Sequence, residues 1–199
     1  MKPNFLLVSA TVLISTASLS AQDRVFGAPV QAAPVWHDNG SGSGANHLAH
    51  CIKHRFNMCY GGTISGPSSV LGTSIEQAVP FTAGQTETVK SISVALRYVS
   101  GTNSATVNLY ADDNGLPGAV LASGTAANIG EFTKVTKVSI PRTRIAYGTP
   151  YWIGISASGT TFMAWTASSQ SGKYIIALDE DEGGWTTYDS SYTWWGHVN

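Results

Sequence analysis

The stretch that decides the fold runs from Val89 to Val99, VKSISVALRYV. Ile92, Val94, Leu96 and Tyr98 take every second position, while Ser91, Ser93, Ala95 and Arg97 fill the places between. Side chains of an extended chain point alternately to opposite faces, so this spacing predicts a strand with one buried and one exposed side. The pattern returns downstream, where Ala105, Val107, Leu109 and Ala111 alternate with Thr106, Asn108 and Tyr110. Further strands are expected from Val120-Leu121 and around Lys134 to Ile140, Tyr151 to Ser156, Thr161 to Trp165, Lys173 to Leu178 and Tyr192 to Val198. Turn chemistry separates them, in Gly101-Thr102-Asn103, Asp112-Asp113-Asn114-Gly115 and Pro117-Gly118. No stretch after the N-terminal segment sustains a helical apolar period. The expectation is an all-β domain over residues 68–199, an antiparallel two-sheet β-sandwich or jelly roll.

The residues before that domain read differently. Lys2 is the only charge before Asp23, the run FLLVSATVLI from Phe5 to Ile14 is short and apolar, and small residues follow to Ala21. A basic start, an apolar centre and a small-residue exit are the parts of a secretory signal peptide, here residues 1–21, cut after Ser20 or Ala21. The apolar run is too short and too interrupted to span a bilayer. Residues 22–67 read as a flexible leader containing a Cys/His-rich loop, because Pro29, Pro34 and the run Asn39-Gly40-Ser41-Gly42-Ser43-Gly44 carry no apolar period.

Cys51 and Cys59 form an even pair in an exported chain, which is read as a disulfide worth about 2 kcal/mol for so short a loop. His47, His50 and His54 beside them offer a second reading as zinc ligands, although oxidation of the cysteines removes two of the five donors. Overall, 11 Lys and Arg stand against 12 Asp and Glu, so no basic field exists to attract nucleic acid or acidic lipid.

Two stretches carry a resemblance. Ser91 to Gly124 (SISVALRYVSGTNSATVNLYADDNGLPGAVLASG) and Gly148 to Ser158 (GTPYWIGISAS) resemble the bacterial exported domain called the choice-of-anchor R domain. The shared features are a strand, a Gly-Thr-Asn turn, a strand ending in Leu-Tyr, an Asn-Gly-Leu-Pro-Gly turn and a Gly-x-x-Tyr-Trp strand. The resemblance extends over residues 75–178. It implies a β-sandwich on an exported protein, with no catalytic activity attached. Members often end in a Pro-Glu-Pro sorting signal, an apolar helix and basic residues. This chain ends in WWGHVN without those parts, so a soluble secreted or periplasmic form is expected.

Three groups of residues are candidates for chemistry. Asp112, Asp113 and Asn114 form a β-turn by composition and are the place where calcium is possible, although a calcium ion takes six to eight oxygen ligands and this run offers fewer. Asp179-Glu180-Asp181-Glu182 packs four carboxylates between two strands, read as a solvated loop with calcium or a glycosidase carboxylate pair as alternatives. Trp165, Trp185, Tyr188, Tyr192, Trp194 and Trp195 crowd the C-terminal third and could present rings to the apolar face of a sugar. No Gly-x-Ser-x-Gly, His-Glu-x-x-His or phosphate-binding glycine motif is present, so no catalytic residue is assigned and no cofactor is expected apart from that calcium. The functional expectation is a non-catalytic module for adhesion or glycan binding at or outside the cell surface. Its alternatives are a structural or assembly component of the cell envelope, partnered by an envelope protein, and a secreted hydrolase.

Overall fold

The computed structural model describes residues 61–194 and 196–199, with the backbone alone at 167–174 and 191–194. The expected signal peptide, most of the leader and the Cys51–Cys59 pair lie outside the described residues. Ten strands form: β1 (Gly61–Ser65), β2 (Ile75–Thr82), β3 (Glu87–Ser100), β4 (Ser104–Asp113) and β5 (Leu116–Ala127) come first. They are followed by β6 (Lys134–Ile145), β7 (Pro150–Ser156), β8 (Phe162–Glu180), β9 (Thr186–Trp194) and β10 (Gly196–Val198). All pairings are antiparallel and belong to one curled sheet, ordered β10-β3-β8-β1-β2-β7-β4-β5, with β6 added to β3 and β9 to β8. Among the described residues there is no helix, and none long and apolar enough to cross a membrane.

The alternation in β3 is met on one face only. Its larger apolar residues turn inward as the spacing requires, but Ser91 (5% exposed), Ser93 (8%) and Ala95 (0%), expected on an exposed side, are buried as well because the opposite face is covered too. Ile92, Val94 and Leu96 are fully buried in one large core with Val107 and Leu109 of β4, Ile153 and Ile155 of β7, and Val138 of β6. β3 and β4 stand far apart in the strand order, so a shared core requires the sheet to curl until its two ends face each other. Each such aliphatic side chain contributes about 1.5–3 kcal/mol by leaving water. The curl also brings β5 against β6: a Cβ built on Gly124 would meet the Ser139 carbonyl oxygen at 2.2 Å. Only a residue without a side chain fits there.

Local chemistry explains the turns. Asn114 (φ 55°) and Gly115 (φ 84°) both lie in the left-handed region, which makes the β4–β5 connection a type I′ hairpin turn. In β6, Pro141 sits where the register against β3 breaks, between the pairs Val89↔Thr143 and Ser91↔Ser139. Proline cannot donate to a ladder, so it belongs at such an interruption.

Three expectations change. Residues 61–65, placed in the leader by sequence, form β1 and pair with β8 over Gly61↔Thr166 to Ser65↔Phe162. The expected strands at Thr161 to Trp165 and Lys173 to Leu178 are parts of one strand, β8. Its start lies beside β1 at Ser65 and its end beside β2 at Glu76↔Asp179, while Ser65 itself pairs with Ile75. Both ends of a 19-residue strand therefore meet neighbouring points, so the β8–β9 ribbon doubles back on the sheet. The last strand also starts earlier than expected, at Thr186 rather than Tyr192.

Candidate functional site

The outer face of the central strands carries the most distinctive chemistry. Register places Ala78 of β2, Gly154 of β7 and Asn108 of β4 in one row across the sheet, and Pro80, Trp152 and Tyr110 in the next. Asn108 and Tyr110, which alternation assigns to solvent, are buried together with Trp152. Ala177 from the returning ribbon completes this second small core, and Ile175 and Trp185 pack against it. Covering both faces of β2, β4 and β7 explains why the run Tyr151 to Ile155 is apolar at nearly every position.

Each polar atom in this cluster has a partner. Trp152 Nε1 donates to Asp112 Oδ1 at 2.7 Å, and the Gly115 amide donates to Asp112 Oδ2 at 3.1 Å. Asn108 Nδ2 donates to the Tyr110 hydroxyl at 3.0 Å, and Ser123 Oγ donates to Asn108 Oδ1 at 2.6 Å. Trp185 meets Tyr110 edge to face, with ring centroids 5.7 Å apart and planes at 77°. Burial, helped by the nearby Glu76 carboxylate, pushes the Tyr110 hydroxyl up to about 12. That group stays protonated at any physiological pH and acts as a fixed hydrogen-bonding anchor.

Carboxylates surround the cluster. Glu76 is half-buried, and desolvation, reinforced by Asp179 and Glu182, raises its pKa above the ordinary carboxylate value against a hydrogen bond from Ser156. Asp181 moves the other way. Its Oδ1 accepts from the Ser74 amide at 2.9 Å and from Thr73 Oγ1 at 2.8 Å, and these bonds hold its pKa below the ordinary value. Asp181 and Glu182 turn the chain with positive φ, and Asp179 Oδ1 accepts the Gly184 amide at 3.1 Å. The acidic run is thus a clasp that ties the ribbon's tip to the loop before β2.

The candidate residues fall into separate places. Trp165 is completely buried in the main core, which corrects its reading as a ligand-binding ring. Trp185 is half-buried over Tyr110. Tyr188 pairs with Ile176, a residue that packs on the main core, so it does not join Trp185 in one platform. Trp195 lies outside the described residues, as do the side chains of Tyr192 and Trp194. Asp112 already accepts through both carboxylate oxygens, and Asp113 Oδ1 accepts from Asn114 Nδ2 at 2.9 Å. The Asp112, Asp113 and Asn114 turn therefore braces a hairpin and a tryptophan rather than offering a free ligand set for calcium. No group of three or more His, Cys, Asp and Glu able to hold a metal occurs among the described residues. The zinc reading of His47, His50 and His54 falls outside them.

Sequence reasoning missed Tyr110 and Glu76. The available signal was the uninterrupted apolar run containing Trp152, which is what a strand covered on both faces looks like. No family model matches this chain, and no curated protein matches its sequence.

Proposed function

We propose that this chain is a non-catalytic exported module, a β-sandwich whose curled sheet acts as two facing layers, and that it serves as a structural or assembly component of the cell envelope. The observation that carries this reading is the placement of the large rings: Trp165 is 0% exposed, Trp152 1% and Tyr110 6%. These rings hold layers and ribbon together and present little surface to a glycan. Outward-facing apolar side chains on β5 and β6 support a protein partner, with Val120 at 53%, Leu121 at 40% and Val135 at 42% exposure. The short apolar N-terminal run and the resemblance to the choice-of-anchor R domain support export.

The test is the association state of the exported chain over a wide concentration range, by light scattering. Reversible self-association that Val120→Lys and Val135→Lys weaken is the expected result. A strict monomer at high concentration, with both variants behaving like the parent, would count against the envelope reading. Adhesion through a glycan is the second reading, favoured by the half-buried Trp185 at the ribbon's tip. It requires retention on insoluble polysaccharide that Trp185→Ala abolishes.

A further inference from the structure

The near balance of 11 Lys and Arg against 12 Asp and Glu conceals a segregated distribution. Strand β6 reads KVTKVSIPRTRI, with four cations and no carboxylate, and all four cations are exposed. Its Val138, Ile140 and Ile145 face the main core. Lys137 and Ser139, before the register break, and Arg142 and Arg144, after it, turn to the outer face. Lys90 of β3 joins them. The amides of Lys90 and Ser91 both donate to the Asn199 carbonyl, at 2.6 and 2.9 Å, and this bulge sets two outward residues between the buried Val89 and Ile92. The carboxylates gather elsewhere, at Glu76, Asp112, Asp113 and the ribbon tip from Asp179 to Glu182. Glu131 lies in the loop before β6, and Glu87 pairs with Ile145 on the core side, where Gln85 Nε2 donates to it at 3.1 Å.

Among the described residues, the side chains of Lys90, Lys137, Arg142 and Arg144 make no ion pair and no hydrogen bond, and the Ser139 hydroxyl is equally free. Protecting an edge strand takes a charge or two, which does not account for an unpaired array of one sign. At about 3.3 Å per residue, the positions from Lys137 to Arg144 run for about 20 Å in a line one strand wide. That shape suits a thread of anions better than a small ligand or a broad plane of lipid headgroups. Arg142 and Arg144, about 7 Å apart along the strand, present planar forks that match carboxylates. β6 has no aromatic residue, so nucleic-acid bases find nothing to stack on. Ser139, between the cations, offers a hydroxyl to a sugar.

We infer that the outer face of β6 binds an acidic polysaccharide, whose carboxylates lie along Lys137, Arg142 and Arg144 with Lys90 beside them and whose hydroxyls meet Ser139. The inference goes beyond the envelope role and holds for a monomer as well as for an assembly. The experiment is isothermal titration calorimetry of the chain with polygalacturonate, compared with neutral dextran and with phosphatidylglycerol vesicles. Saturable binding to polygalacturonate alone is expected, weakening steeply as salt rises from low to physiological concentration. Lys137→Gln, Arg142→Gln and Arg144→Gln should each weaken it about two- to fivefold, the range of an exposed ion pair. The triple variant should weaken it roughly thirtyfold, with Tm unchanged. Absence of binding overturns the inference, as does equal binding to dextran. Vesicle binding as tight as that of the polymer, or full affinity in the triple variant, overturns it too.

Discussion

The two cores of this molecule are built on different principles. The inner one gathers aliphatic side chains such as Ile92, Leu96, Leu109 and Ile153, with Trp165 and Met163. Its members need only be apolar and about the right size. The outer one is small and rests on Tyr110 and Trp152, whose polar ends are tied to Asn108 and Asp112. Shape alone holds the first, and shape plus hydrogen bonding holds the second. A buried polar group without a partner costs about 1–3 kcal/mol, so the outer core tolerates less change in chemistry and the inner one less change in volume.

That contrast can be broken by substitution. Trp165→Ala has the largest expected effect, a loss of about 3–5 kcal/mol in denaturant unfolding, because nothing replaces a ring buried on all sides. Trp152→Phe keeps most of the apolar bulk and removes the donor to Asp112, so a loss of about 2 kcal/mol is expected from the same measurement. If Trp152→Phe is neutral, hydrogen bonding is not what distinguishes the outer core. Trp185→Ala removes only the ring over Tyr110 and should cost about 1 kcal/mol. Faster amide exchange confined to 175–190, with β3 and β4 unchanged, would show that Trp185 fastens the ribbon rather than the body.

The smallest effect is the dependence on pH, and its two halves have opposite sign. Glu76 has a raised folded pKa, so its contribution is complete below the ordinary value of 4.5 and is lost as pH rises through the higher folded one. Asp181 has a lowered folded pKa, so its contribution is complete above the ordinary value of 3.8 and is lost as pH falls through the lower folded one. Urea melts across the acid range should show Glu76→Gln flattening the decline above 4.5 and Asp181→Asn flattening the decline below 3.8. The reverse assignment would mean that the clasp and the ribbon carry the wrong charges in this account.

The inner core was legible because a strand's period is fixed by the backbone, and Ile92, Val94 and Leu96 show it, although the burial of Ser91, Ser93 and Ala95 behind them was not. β1 was not legible: Gly61-Gly62-Thr63-Ile64-Ser65 holds one large apolar residue among turn-formers, and only pairing with β8 makes it a strand. The start of β9 was missed for a similar reason, since Thr186-Thr187-Tyr188-Asp189-Ser190 has no apolar alternation. The outer core depends on a ribbon that returns from far along the chain, and no local pattern encodes that return. Tyr110 thus read as a solvent-facing residue and Trp165 as a ligand-facing one, although the fold buries both.

The central claim is that the sheet is covered on both faces and that its tryptophans serve packing. Hydrogen exchange at the indole N–H groups tests it most directly. Trp152 and Trp165 should exchange only at the rate of global unfolding, with Trp185 faster than either. An indole of Trp152 that exchanges as freely as one in open water would contradict the outer core, and with it the reading of these rings as internal braces.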